Sequence, residues 1–216
     1  MKIKRDLFLC ITCLFFAFIL TLANDRTNDE ALAARIAPDI LRFHVLANSD
    51  SSEDQNLKLK VRTMLLNTIY EDLGEHASLE KTKDFVRSHQ YILEKKAERF
   101  MKQFGYNYCA NLELTTCYFP TKTYGDMVFP CGTYEAVRVI IGKGKGHNWW
   151  CVLYPPLCFV DSSYAVVPDS SKQILKQSID AADYQKLKMK KPNIHIRIKL
   201  LDLMTEKKIS IDSRTQ

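Results

Sequence analysis

Two periodicities take turns along this chain. In ILRFHVLANSD, Leu41, Phe43, Val45 and Ala47 alternate with Arg42, His44, Leu46 and Asn48. That two-residue period predicts a strand with one buried face. Leu57, Val61, Met64, Leu65 and Ile69 follow at helical spacing, with Gly74 just past the end. Ser52 with Gln55 fits a capping box, and Glu53 and Asp54 put negative charge in the first turn. A second apolar stripe (Phe85, Val86, Ile92, Leu93, Ala97, Phe100, Phe104) predicts a helix from about Ser78 to Phe104, stopped by Gly105.

Period two then returns. Tyr106, Tyr108, Ala110, Leu112 and Leu114 predict a long strand over 106–119, and TYEAVRVII (133–141) and WWCVLY (149–154) predict two more. A helix is expected over about Ser171–Lys190, before Pro192. A closing strand, NIHIRIKLLDL, has Ile194, Ile196, Ile198 and Leu200 on one face and His195, Arg197 and Lys199 on the other. The fold class is therefore α+β: a predominantly antiparallel or mixed sheet, two long helices after the first strand and one more before the last. The strands at 106–119, 133–141 and 149–154 have short connections, so if they pair with one another they pair antiparallel.

Ahead of this body the pattern changes. Lys2, Lys4 and Arg5 precede LFLCITCLFFAFILTLA, 17 uncharged residues from Leu7 to Ala23. This reads as a signal peptide cleaved after Ala23, or as an N-terminal membrane anchor, since its length is at the lower limit for about 30 Å of hydrocarbon. Residues 24–38 are polar and are expected to be a linker, or a short helix ending before Pro38. Residues 39–216 are expected to form a single domain. Loss of the leader takes the formal charge from +6 to +4. No block of like charges accompanies it, and nothing points to nucleic acid. A chain of this length buries roughly 70% of its unfolded surface and needs no metal or cofactor to fold.

Export gives the cysteines meaning. Cys10 and Cys13 belong to the leader, leaving Cys109, Cys117, Cys131, Cys151 and Cys158, an odd number. Cys151 and Cys158 bracket VLYPPL, either as a bridge worth about 2.5 kcal/mol in chain entropy or as buried thiols. A hairpin turning near Tyr124-Gly125 would put Cys117 opposite Cys131. Cys109 and Cys117, about 26 Å apart on one strand, cannot join.

Candidate chemistry is sparse. GKGKG (142–146) lacks phosphate-loop spacing and no helix follows it, so a hairpin turn is expected. Thiol catalysis would need Cys151 with His147 or His44 as base, yet Cys151 falls within an apolar strand. His44, Asn48 and Asp50 share a segment, but the histidines show no metal-ligand spacing, and Asp126, Glu135 and Asp161 cannot be paired from sequence. No catalytic or metal residue is assigned. Tyr124, Trp149, Trp150 and Tyr154 with Lys122 and Arg138 have the aromatic and basic composition of a protein interface.

RFHVLANSDSSEDQNLKLKVR (42–62), FPTKTYGD (119–126) and YEAVRVIIGKGKGHNWWCVLYPPLCFVD (134–161) together resemble the stage II sporulation protein R family of endospore-forming Gram-positive bacteria. The resemblance implies a protein exported from the forespore into the intermembrane space. There it would activate a septal membrane-embedded aspartic protease, stage II sporulation protein GA, which processes pro-sigma-E in the mother cell. It implies a ligand with no small-molecule substrate, and it supports the Cys151–Cys158 bridge. It lends none to Cys117–Cys131, because relatives have a small residue at 131. The expected contact face is Thr121, Lys122 and Tyr124 with His147, Trp149 and Trp150. The rival reading is an exported cysteine hydrolase or cell-wall enzyme using Cys151.

Overall fold

The computed structural model describes residues 2–74, 77–158 and 166–188. The element order is α1 (Lys2–Ile36), a 3₁₀ turn (Ala37–Asp39), β1 (Leu41–Leu46), α2 (Ser52–Leu73), α3 (Leu79–Gln103) and β2 (Ala110–Phe119). Then come β3 (Lys122–Tyr124), β4 (Met127–Phe129), β5 (Gly132–Ile141), β6 (Asn148–Tyr154), α4 (Asp169–Ser178) and α5 (Ala181–Leu187). The fold is α+β with a mixed sheet. The expected last strand, 193–203, lies outside the described residues.

The four-stranded sheet runs β2-β5-β1-β6. β2 pairs antiparallel with β5, β5 parallel with β1, and β1 antiparallel with β6. The hairpin expected between β5 and β6 therefore does not form, because β1 lies between them. The GKGKG segment spans two strand spacings, about 10 Å. β2 starts at Ala110 rather than 106 for a related reason: Ala110 pairs with Ile141, the last residue of β5, and beyond it only the Gly142 amide reaches back, to Cys109 O (2.9 Å), with no strand beside 106–109 among the described residues.

As the centre of the sheet, β1 is buried on both faces, where its alternation had predicted one. Arg42 is 0% and His44 2% exposed, alongside Phe43 and Val45. The Phe43 face receives α2 and α3: Arg62 of α2 lies 4.5 Å over the Trp149 ring, and Glu94 of α3 accepts from the Leu112 amide (2.9 Å). The Arg42 face receives the hairpin of β3 and β4, which form a separate two-stranded sheet turning at Gly125-Asp126.

Helix ends explain other departures. Ser51, not Ser52, caps α2: its hydroxyl accepts from the Asp54 amide (3.2 Å). Gln55 instead reaches the Ser49 carbonyl (2.9 Å). Ser78 caps α3 by accepting from Lys81 N. The helix expected over 171–190 is two helices, because Ile179 is extended and Asp180 accepts from the Ala182 amide (2.7 Å), opening a new N-terminus.

Residues 24–36, expected to be a linker or a short helix, are the last turns of the 35-residue α1, which runs on from the apolar segment without a break. Leu32, Ala33 and Ile36 are buried, and Ala33 packs where a Gly132 side chain would be. Polar contacts flank them. Arg35 donates to both Asp183 oxygens (2.7 and 2.9 Å), and Thr121 donates to Asp29 (3.1 Å). Tyr118 donates to Glu30 (2.8 Å). From Phe8 to Leu20, by contrast, α1 exposes its large apolar side chains, and it is long and apolar enough to cross a membrane.

Candidate functional site

The segment that follows β5 is built around its glycines. Gly142 and Gly144 take positive φ (57° and 60°). A side chain on Gly146 would collide with the Ser49 carbonyl. This close approach lets two loops lock together. Gly146 N donates to Ala47 O (2.9 Å), Lys145 N to Asn48 O (3.2 Å) and Lys143 N to the Asn48 side chain (3.0 Å). The His147 amide donates to Asp50 (2.6 Å), its ring Nδ1 contacts the same oxygen, and its carbonyl accepts from Lys58 (2.8 Å). The glycines thus serve a backbone latch.

Beyond the latch, β6 carries Trp149 and Trp150 to opposite faces of the sheet, as alternation requires. Trp149 meets Phe43 edge-on, 6.4 Å between centroids, on the helix side. Trp150 stacks on His44 (3.7 Å) and meets Phe119 edge-on (4.7 Å) on the other. The Tyr124 hydroxyl donates to Trp150 O (3.2 Å), so the hairpin reaches β6. Thr121 stands at the base of the hairpin, bonded to Asp29 and accepting from Cys131 N (3.1 Å). Lys122, half-buried, begins β3. His147 is at the far end of the sheet, exposed. The six residues of the expected face therefore divide. Tyr124 and Trp150 touch, Thr121 and Lys122 adjoin them through the hairpin, and Trp149 and His147 lie elsewhere.

Around Trp150 the sheet is partly open. One row of it, read across the strands, is Glu113, Arg138, His44 and Trp150. Arg138 Nε and Nη2 both donate to Glu113 Oε1 (2.6 and 2.5 Å). Burial pushes His44 down to about 3, nearby Arg138 and Lys58 add to the shift, and a hydrogen bond to Asn148 opposes it. The ring is therefore neutral at physiological pH, with Nε2 donating to Asn148 Oδ1 (2.8 Å).

Potentially reactive groups are engaged elsewhere. Cys151 and Cys158 form a disulfide, Cα–Cα 5.2 Å, closing the bend through Pro155 and Pro156. Cys151 therefore offers no thiol. Cys117 and Cys131 are both free, and burial pushes the Cys117 thiol up to about 12. Asp126 binds Lys172 (2.8 Å) and Glu135 binds Lys83 (2.7 Å). Asp161 lies outside the described residues. His44, Asn48 and Asp50 do not converge: they turn to Asn148, Asp54 and His147 respectively. Among the described residues no three His, Cys, Asp or Glu side chains gather in a way that could hold a metal.

Sequence reasoning missed Arg42 and Glu113. Arg42 was placed on an outward face, and its guanidinium instead sits among the rings of Phe119, Tyr134, Phe129 and Tyr124 (4.5, 5.1, 5.6 and 5.8 Å).

Residues 37–164, from the 3₁₀ turn through the disulfide, match the family described as Stage II sporulation protein R. The chain is 34% identical over 183 residues to Stage II sporulation protein R of Bacillus subtilis (strain 168), covering 82% of each chain. No solved structure matches. With β1 to β6, the latch and both bridged cysteines inside the matched span, this chain belongs to the stage II sporulation protein R family.

Proposed function

We propose that this chain is an exported intercellular signal in endospore formation. It activates the septal membrane-embedded aspartic protease stage II sporulation protein GA, which removes the pro-sequence of sigma-E in the mother cell. Family membership over residues 37–164 is the observation that carries this reading. The apolar start of α1 is compatible with export as a cleaved leader or an anchor. The bonded state of Cys151 disfavours the cysteine-hydrolase alternative, because a disulfide sulfur is not a thiolate nucleophile.

Activation needs differential affinity: the ligand must prefer the active conformation of the protease, or it shifts nothing. A pre-organised surface limits the ordering cost of binding. The latch, the disulfide and the stacked Trp150 give such stiffness to the face formed by Trp150 and the Thr121–Tyr124 hairpin, which is the proposed contact. The test is co-production of this chain with the protease and pro-sigma-E in a non-sporulating host. Appearance of shortened sigma-E only when all three are present is expected. Processing that does not depend on this chain refutes the reading.

A further inference from the structure

We propose that the outward stripe of α3, formed by Tyr91, Ile92, Lys95, Arg99 and Lys102, rests on the anionic headgroup layer of the bilayer that receives the apolar start of α1. Positions 91, 95, 99 and 102 stack at helical spacing with 92 alongside, on the side of α3 opposite the buried Val86, Leu93 and Ala97. Tyr91 is 69% and Ile92 58% exposed, and Arg99 and Lys102 are exposed beside them. Lys95 pairs with Glu98 (2.6 Å) and lies 5.6 Å over the Tyr91 ring. Among the described residues no carboxylate lies within salt-bridge distance of Arg99 or Lys102. The acidic side chains of this half of the helix turn the other way. Glu94 accepts from the Leu112 amide (2.9 Å) and Glu98 from the Ala110 amide (3.4 Å), both on the outer edge of β2. What α3 presents outward is therefore cationic, with one aromatic and one aliphatic side chain in its midst.

The course of α1 decides what lies there. It crosses the strand ends in sheet order: the 3₁₀ turn leads into β1, Ala33 packs where a Gly132 side chain would be at the start of β5, and Glu30 and Arg26 meet Tyr118 near the end of β2. β2 is the outer strand, so α1 leaves the domain past the β2 flank. Ala23, where the apolar run ends, is only about 5 Å along the helix from Arg26. α3 covers that same flank through Glu94 and Glu98, so a bilayer holding Phe8–Leu20 begins beside it. Composition favours lipid over protein as the occupant. Protein contacts are poor in lysine and need a continuous complementary surface. Here two apolar side chains stand singly among long cations, which suits a fluid headgroup layer: the stems lie along its apolar boundary and the charges meet phosphate. The inference rests on retention of the apolar segment as an anchor and not on the signalling reading.

The test uses the full chain in phosphatidylcholine nanodiscs, with or without phosphatidylglycerol, carrying a gadolinium-chelating headgroup lipid. Paramagnetic enhancement of amide relaxation then reads distance from the headgroups. With phosphatidylglycerol present, amides of 91–102 should be enhanced at least about three-fold over those of β6, the opposite edge of the sheet. Omitting phosphatidylglycerol, or combining Arg99→Glu with Lys102→Glu, should lower that excess at least about two-fold. The double variant should melt within about 2 °C of the wild type, since both side chains are exposed. No excess over β6, or an excess indifferent to both changes, overturns the proposal. An excess unchanged by the double variant, together with an at least about ten-fold loss of sigma-E processing in the co-production host, assigns the stripe to an acidic protein surface and overturns the lipid. Release of the chain from producing cells with Asn24 as its N-terminus overturns the choice of this bilayer.

Discussion

Replacing His44 by Phe should make the protein more resistant to acid. In the fold the imidazole is 2% exposed, stacked on Trp150 and held neutral, with its pKa lowered from 6.5 to about 3. The unfolded chain binds a proton near 6.5 and the folded chain does not, so this group's contribution is complete above that pH. It declines as pH falls toward 3. Linkage over that interval gives a loss of about 2 kcal/mol between pH 7.5 and pH 5. The ring is buried, so little of this is screened. His44→Phe keeps a flat ring against Trp150 and leaves the half-buried Asn148 to water. Urea unfolding of both proteins, followed by circular dichroism at pH 7.5, 6 and 5, isolates the term, because the carboxylates titrate in both. The wild type should lose about 2 kcal/mol more than the variant, equivalent to a fall in melting temperature of roughly 4–8 °C. Parallel losses at all three pH values refute a neutral buried His44.

Cys151→Ser should cost about 2.5 kcal/mol through the opened eight-residue loop, measured by urea unfolding without reductant. If the signalling reading holds, it reduces sigma-E processing only as far as folding fails. Gly132→Ala drives a methyl into Ala33, so it should destabilise by about 1–3 kcal/mol and increase cleavage of residues 24–36 by a low dose of trypsin. Trp149→Ala should lower stability through the Phe43 and Arg62 contacts, with processing following stability. Trp150→Ala should lower processing by more than its stability loss explains; equal behaviour of the two variants in both assays removes Trp150 from the contact face.

Local signals were legible and pairing was not. The stripes of α2 and α3 and the alternation of β2, β5 and β6 could be read because each depends on residues within one segment. The position of β1 between β5 and β6 depends on a parallel pairing with residues nearly a hundred positions away, and nothing within LRFHVL encodes it. Two of the departures follow from that insertion. Arg42 and His44 moved from surface to interior, and GKGKG became a crossing loop instead of a hairpin, whereas the two tryptophans are separated by strand alternation alone. Residues 24–36 looked like a linker because only three of them, Leu32, Ala33 and Ile36, are buried, too few to form a stripe. The Cys151–Cys158 spacing left a bridge and two buried thiols equally open; the Cα positions on either side of the proline bend settle it.

One uninterrupted α1 has a geometric outcome of its own. From Ala23, where the apolar run ends, to Asp29, which grips Thr121, the helix advances about 9 Å. No hinge intervenes, and Arg35 clamped to Asp183 removes rotation about the rod. Where the apolar end is retained as an anchor and not cleaved after Ala23, the base of the hairpin rides close above it in one fixed pose.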